Sequence, residues 1–229
     1  SRSDIFRPGF SFSSIRLRFR ELIPLSLPLT ANRVLLGLLQ GIEAVSIPGC
    51  LKLYNHSTSE ALSTYGVLTG MALPCILFPS AITNSVSIML MPTVAELQVK
   101  DQASGIKKLL QKVLGCCFLM GLFCCLFFLF FGQLIGQFLF ASDLAGNFII
   151  TLAWICPFLY VNGSLLSVLN GFGKTTTSFT INTVGLAIRI GSVFFAIPVF
   201  GIQGYLWGLL ISQLAVSICC SVVLKHLIS

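Results

Sequence analysis

Charge is scarce in this sequence. Only 9% of its 229 residues are Asp, Glu, Lys or Arg, against about 25% in an average soluble domain, too few to coat a water-facing surface. Acidic residues are scarcest, seven against fourteen basic ones. These shortages exclude a soluble enzyme and, despite a net charge of +7, a nucleic-acid-binding protein. Spaced metal ligands are missing too. The nine cysteines stand as adjacent pairs (Cys116-Cys117, Cys124-Cys125, Cys219-Cys220) or singly at Cys50, Cys75 and Cys156, without the two-residue gap of a zinc or redox site. Both histidines, His56 and His226, are far from them. No metal and no cofactor is expected, and the cysteines read as small, reduced packing residues. What the chain does have is apolar: 55% hydrophobic residues and a mean hydropathy of +0.95.

A helix needs about 20 apolar residues to cross ~30 Å of hydrocarbon. Six runs qualify, at about 22–47, 61–95, 113–138, 144–171, 175–199 and 203–224. They predict an all-α integral membrane protein, a six-helix transmembrane bundle over 22–227 preceded by a basic loop at 1–21. Basic residues are retained on the cytoplasmic side. With the amino terminus inside, Arg2, Arg7, Arg16, Arg18, Arg20, Lys100, Lys107, Lys108, Lys112, Lys174 and Lys225 are cytoplasmic, and only Lys52 lies outside. The opposite face would carry Tyr54, Tyr65, Tyr205 and Trp207 as an aromatic belt. The basic stretch at 11–20 is read as a plain stop-anchor in preference to a segment that touches anionic headgroups, and not as a signal peptide.

Glycines four apart, at Gly37/Gly41, Gly66/Gly70, Gly132/Gly136 and Gly204/Gly208, predict close helix packing. The run 61–95 is too long for a straight span, and Pro74, Pro79 and Pro92 free carbonyls within it. Exposed backbone at that depth is tolerated only against protein or a wet cavity. With Thr83, Asn84, Ser85 and Ser87 nearby, the segment reads as a cavity wall or as a proline kink satisfied by neighbouring helices.

Three charges interrupt the apolar runs: Arg33, Glu43 and Arg189. A charge at bilayer depth is costly, so each needs a protein partner or a wet cavity. Arg33, Gln40 and Glu43 make one polar stripe, and Asn182 and Arg189 another. Facing one cavity, they would give it two Arg against one Glu, a positive site suited to phosphate. The alternative is that Arg189 reaches outward to Glu43 while Arg33 bonds carbonyls near Pro28. Candidate substrate-binding residues are therefore Arg33, Gln40, Glu43, Asn84, Asn182 and Arg189. The stretch Gly171-Phe172-Gly173-Lys174-Thr175 ends like a phosphate-binding loop but has Val168 where the first Gly is required, and reads as a turn. Asn55-His56-Ser57 fits a glycosylation acceptor formally.

The run Leu22-Ile23-Pro24-Leu25-Ser26-Leu27-Pro28-Leu29-Thr30, followed by Gln40-Gly41-Ile42-Glu43, Ile47-Pro48 and Tyr65-Gly66-Val67-Leu68-Thr69-Gly70-Met71-Ala72-Leu73-Pro74, resembles a known family. So do Phe78-Pro79-Ser80-Ala81-Ile82-Thr83-Asn84-Ser85, Met91-Pro92-Thr93-Val94-Ala95-Glu96, Asn170-Gly171-Phe172-Gly173-Lys174 and Gly201-Ile202-Gln203-Gly204. In this order they resemble the stage V sporulation protein B and polysaccharide-exporter branch of the multidrug/oligosaccharidyl-lipid/polysaccharide superfamily. The resemblance implies one lobe, the second, of a MATE-like transporter with two six-helix lobes that works by alternating access. It implies flipping of a polyprenyl-pyrophosphate-linked sugar such as peptidoglycan precursor across the cytoplasmic membrane, in cell-wall or spore-wall synthesis, with no covalent chemistry. Its partners would be that substrate, membrane lipids and an amino-terminal six-helix lobe absent from this sequence, which begins with Ser1 and reads as an excised piece. Coupling to Na+, H+ or the membrane potential is compatible with this. The alternatives are a cation-coupled multidrug antiporter with Glu43 as the coupling carboxylate, and a non-transporting scaffold of an envelope-synthesis complex.

Overall fold

The computed structural model describes residues 34–54, 57–99 and 103–228. The basic segment 1–21, Pro24, Pro28, Arg33, the pair Asn55-His56 and Lys100 lie outside the described residues. The chain falls into two units, Ser1–Gly41 and Ile42–Ser229. The described part of the first is helical and mostly exposed, Gln40 included.

Ten α-helices and one π turn make up the described residues, with no strand among them. Helix α1 is Val34–Tyr54, and Ser57 caps the next by accepting from the Glu60 amide at 3.5 Å. That helix, α2 (Thr58–Val67), runs through a π turn (Leu68–Ala72) into α3 (Leu73–Leu77), and α4 (Ser80–Val99) follows. Helix α5 (Ala103–Phe140) turns back into α6 (Asp143–Ala153) and α7 (Cys156–Gly171), and α8 (Thr175–Phe195), α9 (Ile197–Phe200) and α10 (Ile202–Ile228) complete the chain. Five helical stretches are long and apolar enough to cross a membrane, six if the bent pair α6–α7 counts as one span. Side chains such as Phe78, Phe130, Phe138 and Phe195 stand exposed around them, a surface suited to lipid rather than water. The chain is a multi-span membrane protein.

The breaks follow from proline. Pro74 lacks the amide that would complete the ladder below it, and the preceding turn widens to π geometry, with the Thr69 hydroxyl donating to the Tyr65 carbonyl at 2.8 Å. At Pro79 the Ser80 hydroxyl donates to the Leu77 carbonyl at 2.6 Å, and the buried Tyr160 hydroxyl of α7 donates to the Ile76 carbonyl at 2.9 Å. Near Pro92 the Thr93 hydroxyl donates to the Met89 carbonyl at 2.7 Å. At Pro79 the geometry is that of a proline kink whose carbonyls are met by a hydroxyl of the segment and one of a neighbouring helix, and residues of the same segment line a cavity described below. Thr83 and Ser87 are buried, whereas Asn84 and Ser85 are exposed.

The second bend, 55° between α6 and α7, falls at Trp154 and Ile155, just ahead of Pro157. It seats on α5 at Gly121, where a Cβ would stand 2.6 Å from the Pro157 Cα. The reversal between α7 and α8 is a Schellman turn: Lys174 N–H donates to the Leu169 carbonyl and Gly173 N–H to the Asn170 carbonyl, each at 3.0 Å. Gly173 takes φ +73°, so the lysine of the loop-like motif sits in a helix-ending turn.

Close packing is concentrated where α5 meets α6 and α7, where α4 meets α7, and where α8 meets α10. Gly132 and Gly136 meet α6 at Ile150 and Gly146, and Gly204 and Gly208 meet Ala196 and Ser192. The other two spaced pairs correct the expectation. Gly66 and Gly70 have nothing within 4 Å of an added Cβ because their face turns away from neighbouring helices, and Gly37 and Gly41 have nothing within 4 Å among the described residues. All nine cysteines are free thiols, six of them buried.

Gly136→Ala is expected to destabilise by about 1–3 kcal/mol, since its methyl would overlap the Gly146 backbone. Gly66→Ala should not, and thermal unfolding of the two variants in the same detergent checks the contrast.

Candidate functional site

Among the described residues of the second unit, the buried charge is Glu43 on α1, 2% exposed. Its Oε1 accepts from Arg189 Nε on α8 at 2.9 Å and lies 2.9 Å from Arg189 Nη2. The same oxygen accepts from the Tyr205 hydroxyl on α10 at 2.7 Å, and Arg189 Nη2 also donates to that hydroxyl at 3.4 Å. Three helices are thus tied at one carboxylate oxygen. The arrangement is electrostatically closed: one guanidinium and one phenol compensate one carboxylate that burial would otherwise penalise severely. Arg189 retains 27% side-chain exposure. Glu43 and Tyr205 engage Nε and Nη2, two of the three nitrogens of its fork.

Of the six residues marked in the sequence, the fold joins two, Glu43 and Arg189. The pair is neutral, and its geometry is that of the Glu43–Arg189 half of the ion-paired alternative; the other half, Arg33 on carbonyls near Pro28, lies outside the described residues. Asn182 is half-buried on α8, two turns before Arg189. Asn84 sits on α4 with its Oδ1 3.3 Å from where a Cβ of Gly163 would stand. Gln40 belongs to the first unit and Arg33 lies outside the described residues.

Tyr205 was expected in an interfacial belt. It is 3% exposed and completes the network instead, because a phenol hydroxyl inside the bundle needs a partner and Glu43 provides one. Tyr54 and Trp207 are exposed, as belt residues would be. Sequence reading also missed two polar links between helices. Ser164 on α7 hydrogen-bonds Ser87 of α4 at 3.0 Å and Cys117 of α5 at 3.3 Å. Asn162 Nδ2 on α7 donates to Gln213 Oε1 on α10 at 2.7 Å. Their only sequence signal is a polar residue in an apolar run.

Cavities border the bundle among the described residues, and two are of interest. One, about 580 Å³, is lined by Pro74 and Phe78 of the kinked segment and by Phe123, Phe127, Phe128 and Phe140 of α5. The other, about 380 Å³, lies between the amino-terminal turns of α5 and the carboxy-terminal turns of α10.

This helical arrangement is the fold of part of a MOP superfamily transporter. The chain superimposes on one from Pyrococcus furiosus with a TM-score of 0.67 at 15% sequence identity, covering 87% of this chain and 43% of that one. In sequence the chain is similar to Stage V sporulation protein B of Bacillus subtilis, 26% identical over 188 residues, which is 81% of this chain and 36% of that protein. It is also 26% identical over 93 residues to the sporulation protein YkvU of the same organism, covering 41% of this chain and 21% of YkvU. No protein-family model matches. The matches support the branch that the ordered motifs resemble, and the chain spans little more than a third of the first relative's length.

Breaking the network leaves a buried carboxylate without its cation. Arg189→Ala is expected to cost about 3 kcal/mol, the lower end for a broken buried pair because the guanidinium is partly accessible. Combining Arg189→Met with Glu43→Gln should recover most of the loss, as a double-mutant cycle of thermal unfolding would measure.

Proposed function

We propose that this chain is one lobe of a transporter that flips a polyprenyl-pyrophosphate-linked oligosaccharide from the inner to the outer leaflet of the cytoplasmic membrane, for cell-wall or spore-wall polysaccharide synthesis. A second six-helix lobe is the partner against which it rocks, and the amino end of this segment faces the cytoplasm. The observation that carries the lipid-linked part is the phenylalanine-lined groove between the kinked segment and α5, about 580 Å³, whose apolar lining suits a methyl-branched isoprenoid chain and offers a sugar no hydrogen bonds. The transport part is supported by the likeness to the Pyrococcus furiosus MOP transporter and to Stage V sporulation protein B. Broken helices at Pro74, Pro79 and Pro157 supply the joints at which such a lobe bends.

The pyrophosphate needs cations. Arg33 is the first candidate, and Arg189 a second that would meet phosphate through Nη1 while Nε and Nη2 stay on Glu43 and Tyr205. The same ion pair weighs against a cation-coupled antiporter. A coupling carboxylate must exchange its cation, and Glu43 holds a guanidinium at 2.9 Å that cannot be deprotonated. No covalent step enters, so no catalytic residue is assigned.

The test is translocation of a fluorescent polyprenyl-pyrophosphate oligosaccharide in proteoliposomes containing the full-length protein. Arg33→Ala at equal reconstitution should lower flux roughly tenfold, equivalent to about 1.4 kcal/mol. Phe123→Ala/Phe127→Ala should lower it as well by loosening tail binding. Unchanged flux in both variants would remove the groove and the arginine from the mechanism. Sodium- or proton-dependent efflux of an organic cation, abolished by Glu43→Gln, would replace the flippase with an exporter.

A further inference from the structure

The smaller cavity is not used by the transport reading. Its mouth is formed by exposed Lys107 and Gln111, one turn apart on α5, and by exposed Ser221 and Lys225, one turn apart on α10. Its floor is Leu110, Leu165 and Leu224, all buried. None of the lining residues is acidic.

The two lysines sit at a defined depth. The uncharged run of α5 begins at Val113, and Lys107 precedes it by six residues, ~9 Å along the axis. On α10, Lys225 directly follows the uncharged run ending at Leu224. A headgroup layer is about 5–8 Å thick on each side of the hydrocarbon, and a lysine stem reaches several ångströms further. Lys225 therefore stands where hydrocarbon gives way to headgroups and Lys107 at the outer edge of the headgroup layer, within a stem's reach of it, and the leucine floor lies on the hydrocarbon side of both. Two cations from different helices, an amide and a hydroxyl one turn nearer the hydrocarbon, and an apolar floor, in a cavity of about 380 Å³, complement a phosphodiester attached to an acyl chain.

We propose that this cleft holds one anionic phospholipid, its phosphodiester between Lys107 and Lys225, its glycerol ester carbonyls against Gln111 and Ser221, and the start of an acyl chain on Leu110, Leu165 and Leu224. A free phosphate would use the lysines alone and gain nothing from the leucines. The bound lipid joins α5 to α10 across Leu165 of α7, so it braces one end of the bundle without contributing to the substrate path. An ammonium close to an anionic headgroup is worth about fivefold in affinity, so two are worth roughly 25-fold.

The full-length protein, purified in mild detergent, is titrated with phosphatidylglycerol, phosphatidylcholine or inorganic phosphate, with native mass spectrometry and thermal unfolding as readouts. Phosphatidylglycerol should bind selectively and raise the unfolding temperature. Lys107→Ala/Lys225→Ala should weaken it roughly 25-fold while leaving the lipid-free unfolding temperature unchanged, as expected for two exposed lysines. Lys107→Arg/Lys225→Arg should retain binding, and Lys108→Ala/Lys112→Ala, outside the cleft, should barely alter it. Equal losses in the two alanine pairs would assign the effect to diffuse surface charge and overturn the site. Phosphatidylcholine binding as tightly as phosphatidylglycerol, or full stabilisation by inorganic phosphate, would overturn it as well. None of these readouts depends on flux, so the lipid site can fail while the flippase stands, and the reverse.

Discussion

Hydrocarbon offers no hydrogen bonds, so each polar group that this chain carries into the membrane must be answered by another part of the chain. That single constraint accounts for most of the architecture. It makes every described element helical, it places serine, threonine and tyrosine hydroxyls on carbonyls beside the prolines, and it sets Arg189 and Tyr205 on Glu43. The prolines and the glutamate are tolerated because their costs are met locally, one by side-chain hydroxyls and the other by a cation from a different helix.

The sequence made some of this legible and concealed the rest for identifiable reasons. Apolar runs located the helices because lipid demands length and hydropathy, yet they misjudged where helices end. Helix α5 continues through Lys112, Lys108 and Lys107 to Ala103, since a helix does not stop where the hydrocarbon does. The α6–α7 bend falls inside an uninterrupted apolar run, with Pro157 its one sign. Four glycine pairs had identical spacing, and two of them face a neighbouring helix. Which face a helix turns inward depends on its neighbours, information that spacing within one helix does not contain. Gly121, Gly171 and Gly185 pack closely with no partner four residues away.

For the candidate site, three charges inside apolar runs were visible at once, and so was the possibility that Arg189 meets Glu43. Tyr205 was not, because its partner is 162 residues earlier and its own surroundings resemble a membrane interface. The correction matters for the chemistry. An arginine that compensates a carboxylate supplies rigidity first and attraction for anions second, so in the flippase proposed above the burden of recognising a pyrophosphate would fall to Arg33 and that of the lipid tail to the aromatic groove.

The Glu43–Arg189 contact spans 146 residues of chain. At roughly 5–20 residues per second, a ribosome needs on the order of ten seconds or more to travel from one to the other. During that interval the glutamate has been synthesised and its guanidinium has not. Biogenesis must therefore shelter an acid in an unfinished bundle, whether at the translocon or by delaying its burial, until α8 brings the cation and α10 the phenol.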